Sequence, residues 1–302
     1  MLEPPFRLEL LRRPEGQDNV PLLPATYRTR SHMVRLVSSD LRAFLEAELD
    51  VERLNSVHKW LWLVGLPTSP RPLHYQRLKK RDIMIAEQMD LHLVWSSGRI
   101  FVKPLPRFLL SPRFWQHSLC PHPYLYRNAL GFLLSWVALI ERETDFQIAS
   151  TYGLIPGDVT WTSWLALAEE IPHVPVNPRF YYGELRLGRL NWIYRILRGQ
   201  PRGYFSNCTT YGAFIRDNIN SLITLFAYTT IVLSAMQVGL ATEFLMNDYA
   251  FGMASYVFSI FAIVGPLSAI AVIILVFCFL FSINLLRTLA IRAKRRRQGA
   301  GV

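Results

Sequence analysis

Cysteine is scarce in this chain: three in 302 residues, at Cys120, Cys208 and Cys278. No two of them share a motif spacing, and Cys278 lies in an apolar run. This excludes a disulfide framework and fits a reducing compartment for the leading part of the chain. Catalytic signatures are missing too. The chain has no Gly-x-Ser-x-Gly, no Gly-x-x-x-x-Gly-Lys and no His-Glu-x-x-His, so the usual serine-hydrolase, phosphate-loop and zinc-protease sites have no anchor. An enzyme has no visible site here, and no cofactor is expected. The opening MLEPPFRLELLRRPEG scatters its charges and lacks an apolar core of about 7–15 residues, so no signal-peptide pattern is expected there.

The absence of charge further along is the most informative. Between Asp217 and Glu243, 25 consecutive positions carry no charged side chain. A helix needs about 20 apolar residues to cross a hydrocarbon core. After a short link, Tyr249 to Leu286 is uncharged over 38 residues. A soluble domain of this size could not cover two such helices on every side, so the chain reads as a membrane protein.

Basic residues set the expected topology. Arg186, Arg189, Arg195, Arg198, Arg202 and Arg216 precede the first run. Arg287, Arg292, Lys294, Arg295, Arg296 and Arg297 follow the second, while the link holds Glu243 and Asp248 and no base. Basic flanks mark the cytoplasmic side, which puts both termini there and makes the number of crossings even. The spans are expected at about residues 219–242 and 255–285, the second overlong and kinked at Pro266. No acidic, basic or histidine side chain lies inside either span, which argues against a proton relay. The net charge of +11 and pI near 9.8 are assigned to topology and to anionic lipid head groups at the 287–302 tail, not to nucleic acid.

The expected organisation is mainly helical. An irregular proline-rich arm (1–35) precedes a cytosolic α(+β) domain (36–203), a two-helix transmembrane hairpin (204–286) and the basic tail. In the domain, Asp40 starts a helix with Leu41, Phe44 and Leu45 at helical spacing. Val51 to Val64 puts Leu54, Val57, Leu61 and Val64 on one stripe. Leu91–Trp95 and Arg99–Lys103 alternate about Ser96-Ser97-Gly98, a β-hairpin with a three-residue loop; Asp82–Ala86 is a candidate third strand. His92 falls opposite Leu91 and Leu93, on a solvated or capped face. Asn128–Ile140 is apolar all round and too short to span, so it is expected as the central buried helix. Trp161, Trp164 and Leu165 start a helix that Pro172 closes, and Arg179–Arg198 reads as one long helix.

Several segments carry a resemblance: Arg71-Pro72-Leu73-His74-Tyr75-Gln76, Glu87 to Trp95, Lys103-Pro104-Leu105-Pro106, Tyr182-Gly183-Glu184-Leu185-Arg186-Leu187 and Ala235 to Leu240. Over roughly residues 35–285 the chain resembles an uncharacterised family of filamentous-fungal membrane proteins, a domain of unknown function. Some members carry a subtilisin-like serine protease label. None of the three motifs of that chemistry occurs in this chain.

Few side chains compete for a functional role. His117, Cys120 and His122 are the one cluster with metal-ligand types, but a structural zinc needs four ligands and no second pair is evident, so a rigid turn is the expected role. Asn207-Cys208-Thr209 is a glycosylation sequon that would face the cytosol and stay unmodified. Thr230, Ser234, Gln237 and Ala241 continue a stripe from Ala227 that either lines a pore or packs against the second span through Ala262, Gly265 and Ala269. Two functional classes follow. The first is a membrane-anchored cytosolic interaction domain. The second is a homo-oligomeric ion channel, because the layout is similar to that of CorA-type magnesium channels. That family ends its first span in Gly-Met-Asn. Here Leu245 precedes Met246-Asn247, so the glycine is missing, and Glu243, Asn247 and Asp248 are the candidate pore mouth.

Overall fold

In the computed structural model, residues 2–11, 22–29, 33–172, 174–200, 203–205 and 211–299 are described, with side chains in the last two long helices described mainly from Ile223 to Leu275. The chain divides into two compact units, residues 1–205 and 206–302.

The first unit begins with two short strands, β1 (Thr26–Arg28) and β2 (Val34–Leu36), paired antiparallel. The arm expected to be irregular is partly docked. Phe6, Leu10, Leu11 and Tyr27 are buried, Phe6 meets Trp115 edge-on at 6.4 Å, and the Tyr126 hydroxyl donates to the Glu3 carbonyl. Its apolar residues follow no period, because their partners lie far away in sequence.

Helix α1 (Leu41–Glu48) starts where expected: the Asp40 carboxylate accepts from the Ala43 N–H at 2.9 Å, satisfying one of the donors a helix start leaves open. The 51–64 run is not one helix. It divides into α2 (Glu52–Asn55) and a 3-10 segment, His58–Leu63, yet Leu54, Val57, Leu61 and Val64 are all buried as one stripe. Helix α3 (Leu73–Leu78) follows the proline-rich connector.

The sheet is larger than a hairpin. Strands β3 (Asp82–Ile85), β4 (Val94–Ser96), β5 (Arg99–Val102) and β6 (Leu185–Arg186) lie in the order β3-β5-β4-β6. Only β4 and β5 are antiparallel; β3 runs parallel to β5, and β6 parallel to β4. Both faces are covered. Ile83, Ile100 and Val102 enter the main core, while Val94, Phe101 and Leu185 enter a second cluster with Leu187, Leu190 and Ile193. The β4–β5 loop corrects the expected hairpin: Ser96 pairs with Arg99, which leaves two loop residues, Ser97 and Gly98, with Gly98 at φ 75°. The first strand also starts later, since Met89–Leu91 is a 3-10 turn and Leu93 sits at φ 63°. That left-handed residue breaks the alternation on which the expected strand rested.

A short turn α4 (Pro112–Phe114) and a π-type turn lead to α5 (Pro123–Leu139), the central buried helix. Its Gly131 lets Phe180 approach so closely that a Cβ there would lie 2.3 Å from the ring. Helices α6 (Glu143–Thr151) and α7 (Trp161–Glu170) complete this side; Trp164 is buried, whereas Leu165 is exposed. The expected long helix over 179–198 is shorter. Pro178–Tyr181 is a 3-10 turn, then β6, and only then α8 (Leu187–Leu197). The strand at 185–186 uses backbone groups that a helix would have consumed.

The second unit contains α9 (Tyr211–Leu240), α10 (Glu243–Met246) and α11 (Tyr249–Gly299). Two stretches, Ile223–Leu240 and Tyr249–Phe279, are long and apolar enough to cross a membrane. Helix α11 starts earlier and ends later than expected, with Pro266 inside it.

Candidate functional site

One cavity in the first unit lies where the 65–71 connector meets β4, β6 and the start of α8. Two glycines bring the backbones together. The Gly183 N–H donates to the Thr68 carbonyl at 2.8 Å, and a Cβ on Gly183 would lie 2.4 Å from the Pro70 nitrogen. A Cβ on Gly65 would lie 2.3 Å from the Glu184 carbonyl oxygen. No side chain fits at either place.

The cavity, about 190 Å³, is lined by Arg71, Arg81, Trp95, Glu184, Arg186 and Arg189 among others. Glu184 is fully engaged: it accepts from Arg81 Nη1 at 2.6 Å, Gln76 Nε2 at 2.9 Å and the Arg71 N–H at 3.3 Å. The Arg81–Glu184 pair is largely buried, with side chains 11% and 13% exposed. Arg81 in turn lies 4.0 Å from the Trp95 ring centroid, and Arg186, beside Trp95 in the sheet register, lies 5.4 Å from it. Arg71 hydrogen-bonds the Tyr75 hydroxyl at 3.0 Å, and Arg189 donates to the Leu63 carbonyl at 2.9 Å. Among the described residues, no carboxylate pairs with the side chains of Arg71, Arg186 or Arg189.

A second polar cluster is internal. The His92 Nδ1 accepts the Lys103 N–H at 3.1 Å, which fixes the proton on Nε2, 2.9 Å from Ser135 Oγ. Ser135 passes its own proton to the Phe132 carbonyl at 2.6 Å. His92 is therefore a buried core residue, only 1% exposed, and the solvated face expected for it is corrected: with Leu93 left-handed, the ring turns inward against Phe132 and Trp136. Burial first, then the charges of Arg179 and Lys103, hold its pKa well below the ordinary value. Lys103 is wholly buried and pairs with Glu48 at 2.5 Å. Arg179 donates to the His92 carbonyl at 2.9 Å, and burial lowers its pKa to about 10, so it stays charged at neutral pH. Apart from the exposed Glu87 carboxylate, 3.7 Å from Lys103 Nζ, its partners are enclosed, and its work is structural.

The exit from the first unit is pinned as well. Asn191 Oδ1 accepts the N–H groups of Tyr204 and Phe205 at 2.8 and 2.9 Å. The Tyr204 ring lies under the Arg53 guanidinium at 4.2 Å, and its hydroxyl donates to the Asp90 carbonyl at 2.7 Å.

The residues singled out from the sequence fall elsewhere. His117 Nδ1 is 2.8 Å from the Arg113 carbonyl, Cys120 is half-buried, and His122 sits at the N-cap position of α5 without a side-chain cap bond. Among the described residues, no three His, Cys, Asp or Glu side chains stand together as metal ligands. Thr230, Ser234, Gln237 and Ala241 are exposed along α9. Within one chain they form the more exposed side of α9. The less exposed residues of α9 are Thr229, Val232, Leu233, Met236 and Gly239, with Gly239 against Phe251. The small residues expected on the other side, Ala262, Gly265 and Ala269, are buried or half-buried. The Thr230 and Ser234 hydroxyls bond back to the Phe226 and Thr230 carbonyls at 2.8 and 2.9 Å. Glu243, Asn247 and Asp248 are exposed in the link, and Asp248 accepts the Ala250 N–H at 2.8 Å, opening α11. The side chains of Arg287, Arg292, Lys294, Arg295, Arg296 and Arg297 lie outside the described ones, as does the sequon at 207–209.

A family model described as "Family of unknown function (DUF6601)" matches residues 41–266. The chain belongs to this family. The DUF6601 match begins at the first residue of α1, ends at Pro266 within α11, and includes every residue lining the arginine pocket. No curated protein and no solved structure matches the chain. The sequence did not point to the pocket, although two of the segments that mark the family resemblance, 71–76 and 182–187, supply Arg71, Glu184 and Arg186 to its wall.

Proposed function

We propose that this chain is a membrane-anchored binding module: a folded unit held at the cytoplasmic face by a two-helix hairpin, with the basic tail on the anionic leaflet. The supporting observation is the contrast between the units. Residues 1–205 have a core and a polar network of their own, whereas α9 and α11 expose Ile231, Val238, Ile263, Val264 and Leu267, each more than half accessible. Apolar surface on that scale needs hydrocarbon around it. The test is extraction with alkaline carbonate, followed by glycosylation mapping. The protein is expected to stay in the membrane pellet, and an engineered sequon in the 243–248 link is expected to be modified while Asn207 is not. Release into the supernatant, or modification of Asn207, would overturn the reading.

An oligomeric channel is the second reading, and one observation favours it. The Thr230, Ser234, Gln237 and Ala241 stripe is left uncovered by α11, and small polar stripes suit contacts between helices of separate copies. Two helices from one chain enclose no water path, so a channel requires a ring. The mass of the detergent-purified particle decides: a monomer or dimer removes the channel, and a larger closed ring promotes it.

A further inference from the structure

We propose that the arginine pocket of the first unit is a binding site for a phosphate ester. Four arginines line it (Arg71, Arg81, Arg186 and Arg189) with a single carboxylate, Glu184. That carboxylate is consumed in holding Arg81, so among the described residues three of the lining arginines have no counter-charge. Gathering like charges in one concavity is unfavourable unless an anion completes it. The backbone adds to the same field. Helix α8 is 11 residues long and begins at the pocket wall, with Arg186 at its N-cap, no side-chain cap and no acidic residue in its first turn. The Arg186 N–H is taken by the Val64 carbonyl at 3.0 Å, but the positive end of the helix dipole still suits an anion.

The chemistry of the lining selects among anions. Guanidinium forks present paired donors to tetrahedral oxygens, and the hydroxyl-bearing Thr68 and Ser69 stand in the same wall. A cavity of about 190 Å³ takes a phosphate together with a small polar carrier, since a water in the liquid occupies about 30 Å³. A nucleobase is disfavoured, because Arg81 and Arg186 already crowd the Trp95 ring, the one aromatic platform in the wall. Glu184, bonded to Arg81, Gln76 and the Arg71 backbone at once, is a positioning residue that keeps the cationic wall in place before the ligand arrives.

A phosphate ester of this kind can be carried by a lipid head group or by a soluble molecule. The experiment separates them with the full-length protein, held either in neutral maltoside detergent or in nanodiscs. Titration calorimetry with sodium pyrophosphate at physiological salt is expected to give saturable binding, with sodium sulfate as the weaker control. Arg186→Gln combined with Arg189→Gln is expected to weaken it by about tenfold or more, since each charge-assisted bond lost approaches a factor of ten. Arg42→Gln, whose guanidinium pairs with Glu46 on an exposed helix face, should leave it unchanged, and the melting temperature should stay constant in all three. A vesicle arm follows, using phosphatidylcholine nanodiscs with or without phosphatidylinositol 4-phosphate. Suppression of the pyrophosphate signal by the phosphoinositide identifies a head group; equal binding in both identifies a soluble ester. No saturable binding, or binding that Arg186→Gln with Arg189→Gln leaves intact, would overturn the proposal. Membrane anchoring is read by carbonate extraction and stands or falls separately.

Discussion

The two units use similar apolar side chains under opposite rules. In residues 1–205 large residues are sealed away, with Trp115, Trp136 and Trp164 among the fully buried side chains. Buried polar groups there are tied into chains of bonds such as Lys103 N–H to His92 to Ser135 to the Phe132 carbonyl. In residues 206–302 the order is reversed. Bulk points outward, and the least exposed positions of α11 are small, such as Ser255 and Ala262. The lesson is that burial separates the units more clearly than composition does. A helix such as α5 is as apolar as α9, but the protein itself provides the surroundings of α5.

The comparison predicts where a single change hurts most. Lys103→Ala should cost about 3–5 kcal/mol, because it strips the buried partner from Glu48 and leaves a half-enclosed carboxylate. Lys103→Met, which keeps most of the side-chain volume but removes the same charge, should cost nearly as much. All eight tryptophans lie before residue 193, so urea unfolding followed by tryptophan fluorescence reads the first unit alone. A much smaller loss for Lys103→Met would mean that packing, and not the ion pair, holds this site.

The second largest effect is expected in the other unit. Ile263 of α11 is 63% exposed. If hydrocarbon surrounds it, Ile263→Arg costs about 2.5–3.5 kcal/mol of membrane insertion. The fraction of chains recovered in the carbonate pellet should fall. An unchanged pellet fraction would break the contrast between the units.

Parts of this contrast are legible in the sequence, and the reason is locality. The Phe44–Leu45 and Leu54–Val64 stripes, the buried 128–140 helix and the two uncharged runs are all periodic or continuous over a few turns. What could not be read depends on distant partners. Strand β6 has two residues and no period of its own; it exists because Val94 and Trp95 offer it an edge. His92 was misassigned because one left-handed residue, Leu93, turned the alternation over. The arginine pocket joins positions 71, 81, 95, 186 and 189, and no spacing rule links them. The one local sign was the pair of glycines, Gly65 and Gly183, each pressed against another backbone.

A smaller effect should follow pH. His92 is neutral in the folded state, its pKa held well below the ordinary value by burial and by Arg179 and Lys103. The unfolded histidine titrates near about 6.5. Below that pH the unfolded chain binds a proton that the folded chain refuses, so the stabilisation present above it is lost progressively as pH falls. The urea midpoint of the tryptophan signal should be flat from neutral to about pH 9, below the Arg179 titration at about 10, and decline on acidification. In His92→Gln, whose amide can still accept from Lys103 and donate to Ser135, the absolute midpoint drops but this part of the slope should vanish.

The smallest effect completes the comparison with Ile263. Ile196 on α8 is 59% exposed, close to the value at Ile263. If water surrounds it, Ile196→Arg should change stability by no more than about 0.5 kcal/mol, with an unchanged urea midpoint. Two isoleucines of matched exposure, one costly to charge and one not, would show that the solvent and not the fold sets the difference. If Ile196→Arg instead destabilises the unit or releases it from a bilayer, then the outer face of α8, with Trp192 beside it at 57% exposure, also meets apolar surroundings, and the boundary between the two rules lies inside the first unit.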